Sequence, residues 1–407
     1  MVHVCYCFCD KTGHYAKFAA TSLLALFENT KSEVTVHILH DNTLTPDNAD
    51  RFNYLAGRYS RLVNFYNLDE LCPDKIAEIK NSIPEIEKTK ITVGAFYKMF
   101  IPQILPANIE KAIFIDPDTI VNLDIDELWK IELGNKLLGV VTEKENGANP
   151  NKAFLLCSEG VVKSEDYFNT GVLLMNLKAL RGEEEKIMRG VKFRGDNPQH
   201  KFFEQTVLNY CFSEQTLKLP NKFNRFVREE RSQNPGKKIY HYSGGTSRMG
   251  LDTNDSFNKL WLDYFIRTPF FDESTMARLY AGLAKIRNDL RDSSLRMSRI
   301  LSGKTRAFFV EPAKEAAIRK IFAIDKDESV ILAENKDSLK KLLDAMKAAE
   351  GQCVFFIMTE RFLKKPFPFE QLKNEGLADG KDFLKAWRYL PTKRDVPFNS
   401  YPLVEIL

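Results

Sequence analysis

The sequence predicts an α/β fold in which a mostly parallel β-sheet carries helices on both faces. Short apolar runs rich in Val, Ile and Phe alternate with longer stretches of helical spacing through residues 2–242, an order typical of parallel sheets. One of these runs, residues 113–115, ends in Asp116-Pro117-Asp118. Because α/β sheets bind ligands at the carboxyl ends of their strands, this acid pair indicates where a site lies.

Each element of the first half follows from its own pattern. Apolar or alternating runs of about 4–8 residues predict strands, and apolar residues three or four apart predict helices. Pro46 favours a helix start, since the first turn needs no N–H from that position. We therefore expect strands at residues 2–9, 34–39, 62–68, 113–115, 137–142, 171–176 and 238–242, and helices at 15–28, 46–58, 95–105 and 202–212.

The composition is that of an ordinary globular protein, with 44% hydrophobic and 28% charged residues in a chain of 407. This length is sufficient for two domains. The net charge of +4 gives little support to nucleic-acid binding, so we expect no nucleic-acid partner. We see neither a secretory leader nor an apolar span of about 18 residues, and a cytoplasmic location is the expectation.

Three of the seven cysteines, Cys5, Cys7 and Cys9, alternate along the first predicted strand and so share one face. Thiols on one face of an extended chain do not surround a metal tetrahedrally, and the sequence has no CxxC pair. We expect buried, reduced thiols.

Residues 277–306 differ in charge from the rest of the chain, with eight Lys or Arg against two Asp, a local balance of +6. Leu279, Leu283, Ile286 and Leu290 recur at helical spacing and predict a basic amphipathic helix. This helix fits a linker packed on its own protein or a peripheral contact with an anionic membrane. The predicted domains are 1–268, a basic helical linker at 269–310, and a small C-terminal α/β domain at 311–407. In this last domain we expect strands at 329–333 and 353–359 on either side of a helix at 336–350. A helix, a turn and a returning segment are expected over 369–384.

The acid pair has the geometry of a cation site. In an extended segment residues i and i+2 project to the same side, so Asp116 and Asp118 can face one point. Pro117 favours extended backbone at Asp116 and removes a ladder hydrogen bond, which ends the strand. Two convergent carboxylates suit a hard divalent cation, although the pair alone does not name a reaction.

Three further segments, taken in order with the acid pair, resemble the retaining glycosyltransferases of family 8. This family includes bacterial lipopolysaccharide glucosyl- and galactosyltransferases and glycogenin. The resemblance covers roughly residues 2–265 and includes the first strand with Asp10. The three segments are Tyr-Phe-Asn-Thr-Gly-Val-Leu-Leu-Met-Asn-Leu at 167–177, Phe-Glu-Gln-Thr-Val-Leu-Asn at 203–209, and Tyr-His-Tyr-Ser-Gly-Gly at 240–245.

The resemblance implies a GT-A fold, a Rossmann-like mixed sheet with helices on both faces. It also implies transfer of a hexose, glucose or galactose, from a UDP-sugar to a glycan or glycolipid acceptor in lipopolysaccharide or other surface-polysaccharide synthesis. Asp116 and Asp118 match the family's DxD motif, and His241 matches its third metal ligand. Such a set favours Mn²⁺, with Mg²⁺ as the alternative, because Mg²⁺ prefers oxygen ligands alone.

The resemblance also implies residues that bind the donor. Asp10 and Tyr15 match the place where the uracil and ribose are held, and Asn169 matches a residue that contacts the sugar. Gly171 would let the backbone pass close to the donor, and Gln205 is a weak nucleophile or a stabiliser of the oxocarbenium ion. The implied donor-binding residues are Asp10, Tyr15, Lys98, Asp116, Asp118, Asn169, Gly244 and Arg248, and the implied catalytic pair is Glu204 and Gln205.

Three positions depart from the family pattern. Lys98 stands where Arg is usual, and lysine keeps the charge but loses bidentate reach. Glu204 stands where Asp is usual. Residues 246–250 lack the usual Lys-Pro-Trp that clamps the diphosphate, and Arg248 could take over that contact.

Two other functions fit some of these residues. Asp116-Pro117-Asp118-Thr119 matches the DxDx(T/V) nucleophile motif of haloacid-dehalogenase-like phosphatases. That family places the motif near the chain start and needs a second acid pair, which we do not find. The fold could also persist as a non-catalytic scaffold that binds sugar nucleotides, in agreement with the departures at Lys98 and Ser247.

Overall fold

The computed structural model describes residues 1–88, 92–230, 233–243, 255–277, 280–282, 301–321, 324, 328–359, 361–363, 365–379 and 381–385. These residues fall into two compact units, one within Met1–Arg278 and the other within Leu279–Phe398.

The first unit contains ten described strands: β1 (Val2–Phe8), β2 (Val34–His40), β3 (Leu62–Asn67), β4 (Lys111–Ile115), β5 (Thr119–Val121), β6 (Leu138–Thr142), β7 (Phe168–Asn176), β8 (Thr216–Lys218), β9 (Arg225–Phe226) and β10 (Ile239–His241). Its described α-helices are His14–Asn29, Pro46–Gly57, Leu68–Leu71, Pro73–Ser82, Ile101–Ile104, Asp126–Trp129, Pro150–Ala153, Leu155–Ser158, Leu177–Leu180, Glu184–Asp196, Phe203–Phe212 and Ser256–Phe265. The 3₁₀-helices are Pro84–Lys88, Val93–Phe100, Ser213–Gln215, Asn221–Phe223 and Val227–Glu229.

A seven-stranded sheet forms the centre of this unit, in the order β3-β2-β1-β4-β7-β6-β8. The first four of these strands are parallel to one another, and β6 is parallel to β8. β7 is antiparallel to both β4 and β6. The predicted mixed, mostly parallel sheet is confirmed.

Helices cover both faces of the sheet, as side chains in β1 and just beyond its end illustrate. On one face the Tyr6 hydroxyl lies 3.0 Å from Ser22 Oγ in helix His14–Asn29. Beyond the end of β1, the Cys9 thiol donates to the Tyr97 hydroxyl in the 3₁₀-helix Val93–Phe100 at 3.5 Å. Cys5, Cys7 and Cys9 lie buried in one apolar cluster with residues of the 3₁₀-helix Val93–Phe100. Burial raises the pKa of their thiols. They are the buried free thiols that the alternation predicts.

A second, three-stranded sheet places His241, from the segment at 240–245, beside the acid pair Asp116 and Asp118. Its order is β5-β10-β9, and β10 runs antiparallel to β5 with His241 opposite Thr119. The Tyr242 N–H donates to the Asp118 carbonyl at 2.9 Å. This pairing brings together residues that are far apart in the sequence.

Two elements of the first unit differ from the prediction in helix type or in bounds. Residues 95–105 form a 3₁₀-helix, Val93–Phe100, followed by a single turn, Ile101–Ile104, rather than one α-helix. Pro102 supplies no N–H, so a helical hydrogen-bond ladder cannot continue through it, whereas it is well placed in a first turn. The strand expected at 171–176 begins earlier, at Phe168.

The second unit is a small α/β structure. Its described strands are β11 (Thr305–Val310), β12 (Ser329–Leu332), β13 (Cys353–Ile357), β14 (Arg361–Phe362), β15 (Lys365–Pro366) and β16 (Phe383–Lys385), and its described helices are Glu315–Ile321, Lys336–Ala348, Phe369–Asn374 and the 3₁₀-helix Pro312–Lys314. The parallel sheet β12-β11-β13-β16 is the centre of this unit. Phe309, Leu342 and Phe355 pack in one cluster between the sheet and helix Lys336–Ala348.

The predicted linker, 269–310, is wrong at its carboxyl end, because Thr305–Val310 is the strand β11. The high local charge obscured this strand. Arg306 lies near its exposed start and pairs with Glu328 at 2.6 Å, while Phe308 and Phe309 are fully buried. Most of the predicted basic helix, residues 283–300, lies outside the described residues. Among the helices that are described, none is long and apolar enough to cross a membrane.

Candidate active site

Three side chains converge beyond the carboxyl end of β4. Asp116 follows β4, Asp118 precedes β5, and His241 ends β10. Their ligand atoms lie within 4.8 Å of one another, with His241 Nε2 3.4 Å from Asp118 Oδ1 and 3.8 Å from Asp116 Oδ2. Two carboxylates and an imidazole form a donor set that fits a divalent metal.

The hydrogen bonds around His241 fix which ring nitrogen faces the carboxylates. The Gly171 N–H donates to Asn169 Oδ1 at 2.9 Å, so this atom is an acceptor and the Asn224 amide group 2.8 Å from it is the NH₂. Asn224 Oδ1 therefore faces the ring and accepts from His241 Nδ1 at 3.0 Å. In the neutral ring, Nε2 then carries a lone pair that faces the two carboxylates. A cation bound between this nitrogen and the carboxylate oxygens would stabilise the arrangement.

Position 171 must be glycine because the imidazole of His241 occupies the space that a Cβ would need. A Cβ at position 171 would lie 2.2 Å from His241 Cε1 and 2.5 Å from its Nδ1. The resemblance assigns Gly171 to close approach by the donor, but the atoms that need the space here belong to His241.

Lys98 is buried and links two acids of the site. Its Nζ lies 3.2 Å from Asp116 Oδ1 and 3.5 Å from Glu204 Oε1, and it donates to the Thr170 carbonyl at 3.2 Å. Burial alone would lower the pKa of Lys98, but the charges of Asp116 and Glu204 outweigh it and raise that pKa. Burial also raises the pKa of Glu204, and Lys98 opposes this shift. The ammonium group thus holds Asp116 and Glu204 together.

We expect Lys98→Met to destabilise the folded protein by about 2–3 kcal/mol, because it leaves Asp116 and Glu204 facing each other without a cation. The loss is smaller than for a fully enclosed pair, since Asp116 keeps 24% of its side chain exposed. Urea unfolding at neutral pH measures the difference. The matched control is Lys130→Met, which removes a surface ion pair with Asp126 and should change stability little. Equal stabilities of the two variants would show that Lys98 does not hold the site together.

Gln205 and Asn169 lie in one buried network with an acid that the sequence analysis did not select. Asn169 Nδ2 donates to Gln205 Oε1 at 3.0 Å and to Glu143 Oε1 at 3.1 Å. Gln205 Nε2 donates to the same Glu143 oxygen at 3.2 Å. Burial raises the pKa of Glu143, and these two donors oppose the shift. The carboxamide of Gln205 is therefore held in one orientation, next to Glu204 in the first turn of helix Phe203–Phe212.

Glu143 and Asn224 are the site residues that sequence reasoning missed. Glu143 directly follows β6, so an acid at the end of an apolar strand was an available signal, as it was for Asp116. Asn224 lies between a 3₁₀-helix and the two-residue strand β9, and its local sequence carries no comparable signal.

Asp10 is buried at the end of the first strand and satisfied by its own protein. Its Oδ1 accepts from the Ala16 N–H at 3.0 Å and its Oδ2 from Asn48 Nδ2 at 2.9 Å. Burial raises the pKa of Asp10 to about 6 despite these donors. Tyr15, half-buried, packs edge-on against Phe18.

The raised pKa of Asp10 predicts a pH-dependent stability. The folded state holds this proton more tightly than the unfolded chain, so the stabilisation is present below about pH 4 and is lost as the pH rises to about 6. The effect amounts to roughly 2–3 kcal/mol. In Asp10→Asn this contribution is absent, and we expect the difference in unfolding free energy between variant and wild type to change across that range. Urea titrations at several pH values measure it, with exposed Asp50→Asn as control; parallel profiles for all three proteins would refute the assignment.

The structure brings together the side chains of Asp116, Asp118, His241, Lys98 and Glu204. Asn169, which bonds Gln205, is linked to His241 through Asn224. The Thr170 hydroxyl donates to Glu204. Gly244 and Arg248 lie outside the described residues. Asp10 and Tyr15 lie at the end of β1, the strand that neighbours β4.

In a comparison with known protein families, residues 6–246 match the model of glycosyl transferase family 8. A Haemophilus influenzae protein named as a candidate glycosyltransferase is 28% identical over 214 residues, 52% of this chain and 60% of that protein. The lipopolysaccharide 1,2-glucosyltransferase of Escherichia coli K12 is 26% identical over 165 residues, 37% of this chain and 47% of that protein. The chain therefore spans about half to three-fifths of the length of these two relatives.

Among solved structures, the chain resembles a galactosyltransferase, LgtC, in complex with donor and acceptor sugar analogues. The TM-score is 0.53 at 16% identity, over 68% of this chain and 99% of that one. This likeness shows that the fold is that of the GT-A glycosyltransferases.

Proposed function

Since the chain belongs to glycosyl transferase family 8, a family of sugar-transferring enzymes, we propose that it transfers a hexose, glucose or galactose, from a UDP-sugar to a glycan or glycolipid acceptor with retained configuration. The convergence of Asp116, Asp118 and His241 carries this proposal, because a nucleotide diphosphate binds readily to a divalent cation held by such a set. Family membership sets aside the phosphatase hypothesis for the acid pair.

The metal we propose is Mn²⁺, since an imidazole among carboxylates disfavours Mg²⁺. A bound divalent cation would supply Lewis-acid charge that stabilises the departing nucleotide diphosphate. The protein's own part is to hold the ligands: Asn224 orients His241, and Lys98 orients Asp116.

The catalytic pair we propose is Glu204 and Gln205. Within the part of the chain that the structure describes, Gln205 Oε1 accepts one hydrogen bond, from Asn169, which leaves a second lone pair for an electron-poor anomeric carbon. Its nitrogen is held by Glu143, which prevents the amide from turning. A weakly nucleophilic oxygen in a fixed orientation suits either a short-lived covalent bond or stabilisation of an oxocarbenium ion.

The similarity to a lipopolysaccharide glucosyltransferase supports an acceptor among bacterial surface glycans. A cytoplasmic enzyme that contacts the inner face of the membrane through its basic segment, residues 277–306, agrees with this acceptor and with the segment's charge.

Thermal stabilisation by nucleotide sugars tests the proposed function. A ligand that binds only the native state raises the melting temperature, so we expect a shift with one UDP-sugar in the presence of Mn²⁺ and none with EDTA. GDP-, TDP- and CMP-sugars serve as the comparison set. No shift with any nucleotide would mean that the donor site is lost and would overturn the proposal, whereas a shift without turnover of the donor would favour the non-catalytic scaffold that binds sugar nucleotides.

A further inference from the structure

Lys98 and Glu204, two of the positions that depart from the family pattern, contact each other in the fold. Lys98 lies in the 3₁₀-helix Val93–Phe100 and Glu204 in helix Phe203–Phe212. Lys98 Nζ is 3.5 Å from Glu204 Oε1. Lysine reaches less far than the usual Arg, whereas Glu is longer than the usual Asp by a methylene group. The two departures therefore change the distance between the charged groups in opposite directions.

The N–H groups of Lys98 are all directed at acceptors within the protein. An ammonium group has three donors and no acceptor. Lys98 Nζ donates to Asp116 Oδ1 and to the Thr170 carbonyl, each at 3.2 Å, and it faces Glu204 Oε1 as the third partner. The Phe114 ring covers the ammonium, with Nζ 4.4 Å from the ring centroid, and the Lys98 side chain is 1% exposed. Among the described residues, these contacts leave Lys98 without an N–H or an exposed surface for a donor molecule.

Glu204 is held at the same oxygen by a second donor. The Thr170 hydroxyl donates to Glu204 Oε1 at 3.3 Å, and the Glu204 side chain is 15% exposed. A cavity that borders Lys98 measures about 10 Å³, less than the volume that one water molecule occupies in the liquid, about 30 Å³. A bulkier side chain at position 98 would therefore displace its neighbours, and Asp116 and Glu204 are the acids at its tip.

We propose that Lys98 is a positioning residue and not a donor-binding residue, and that its length is matched to that of Glu204. Its ammonium group acts through two acids, the metal ligand Asp116 and the catalytic Glu204, and the inference rests on the proposed function for the roles of both. Lys98 is thereby withdrawn from the donor-binding residues that the resemblance implies. The departures at 98 and 204 become one compensated change rather than a sign of lost activity.

A double-variant cycle on the full chain tests the match, with Lys98→Arg, Glu204→Asp and the two combined. We expect each single variant to lower Mn²⁺ affinity about 10-fold or more, because each disturbs the support of the metal ligand Asp116. In the combined variant the longer guanidinium reaches the shorter carboxylate, so Mn²⁺ affinity should return to within about 3-fold of wild type. Resistance to urea should be lowered in both single variants and recover in the same way. Calorimetry and urea unfolding measure the two properties.

Donor hydrolysis at saturating Mn²⁺ separates positioning from contact with the donor. Each single variant should lower kcat about 10–100-fold, and the combined variant should recover it. Lys98→Arg should leave KM for UDP-glucose and UDP-galactose unchanged, because the side chain does not touch the donor. A raised KM with an unchanged kcat would show that Lys98 binds the donor and would overturn the proposal.

The control cycle uses Lys178→Arg and Glu110→Asp, an exposed pair with Nζ and Oε1 2.8 Å apart, and all three of its variants should resemble wild type. Losses that multiply when Lys98→Arg and Glu204→Asp are combined would show that the two lengths are not matched. If Lys98→Arg alone does not fold, recovery of folding in the combined variant supports the match, and continued failure refutes it. A wild type that turns over no donor removes the transferase proposal, while the unfolding and Mn²⁺ cycles still decide the match.

Discussion

Asp118→Asn is expected to abolish metal-dependent turnover of the donor while the protein stays folded. Asp118 supplies a carboxylate oxygen 3.4 Å from His241 Nε2, and an amide in its place binds a divalent cation far more weakly. Loss of residues that only orient a metal ligand typically costs 10–100-fold. We therefore expect a decrease of at least about 100-fold when a ligand itself is removed. Folding should survive because the change also removes repulsion between Asp118 and Asp116.

The measurements for Asp118→Asn are Mn²⁺ binding by calorimetry and hydrolysis of the donor. Asp263→Asn is the matched control, since it neutralises an exposed carboxylate paired with Lys259 and should retain both properties. An Asp118→Asn protein that binds Mn²⁺ and turns over at the wild-type rate would remove the Asp–Asp–His site from the proposed function.

Gly171→Ala is expected to lower metal affinity through His241, without changing any metal ligand. The new Cβ would lie 2.2 Å from His241 Cε1, so the imidazole must move away from the carboxylates. Displacement of one ligand should weaken Mn²⁺ binding about 10–100-fold. Overpacking of this buried strand should also reduce stability by about 1–3 kcal/mol.

Gly182→Ala is the control for Gly171→Ala. A Cβ at position 182 would have its nearest contact at 3.7 Å, with the Ala179 carbonyl, so the substitution introduces a methyl group without a clash. Calorimetry and urea unfolding of the two variants separate a general effect of replacing glycine from displacement of His241. Wild-type Mn²⁺ affinity in Gly171→Ala would mean that His241 is not a ligand.

Much of the architecture could be predicted from local patterns. The seven strands predicted in the first unit agree with the structure to within a few residues, because an apolar or alternating run is a local pattern. The short strands β5, β8 and β9 were not predicted. Pro117 marks the end of β4, and the acid pair follows directly from it. The error at Thr305–Val310 arose where a few charged residues at the start of a buried strand were assigned to the preceding basic segment.

The site was predicted in part, for a different reason. The pattern at the end of β4 indicated Asp116 and Asp118, and the resemblance to the family indicated His241. Strand pairing between β5 and β10 brings the three within reach of one another. No pattern along the chain indicates that Asn224 holds His241, or that Glu143 holds Gln205. These contacts join residues 17 and 62 positions apart, and they depend on strand order and packing rather than on neighbours in sequence.

The sequence by itself determined the class of fold, the strand that ends in carboxylates and the family to which the chain belongs. Only the tertiary structure decided which nitrogen of His241 faces those carboxylates, why position 171 must be glycine, and that Lys98 bridges Asp116 and Glu204. The physical reason is range: the periodicity of a helix or strand is set by residues two to four apart. The protonation, orientation and burial of a site residue are instead set by groups from several strands and helices that meet only in the folded chain.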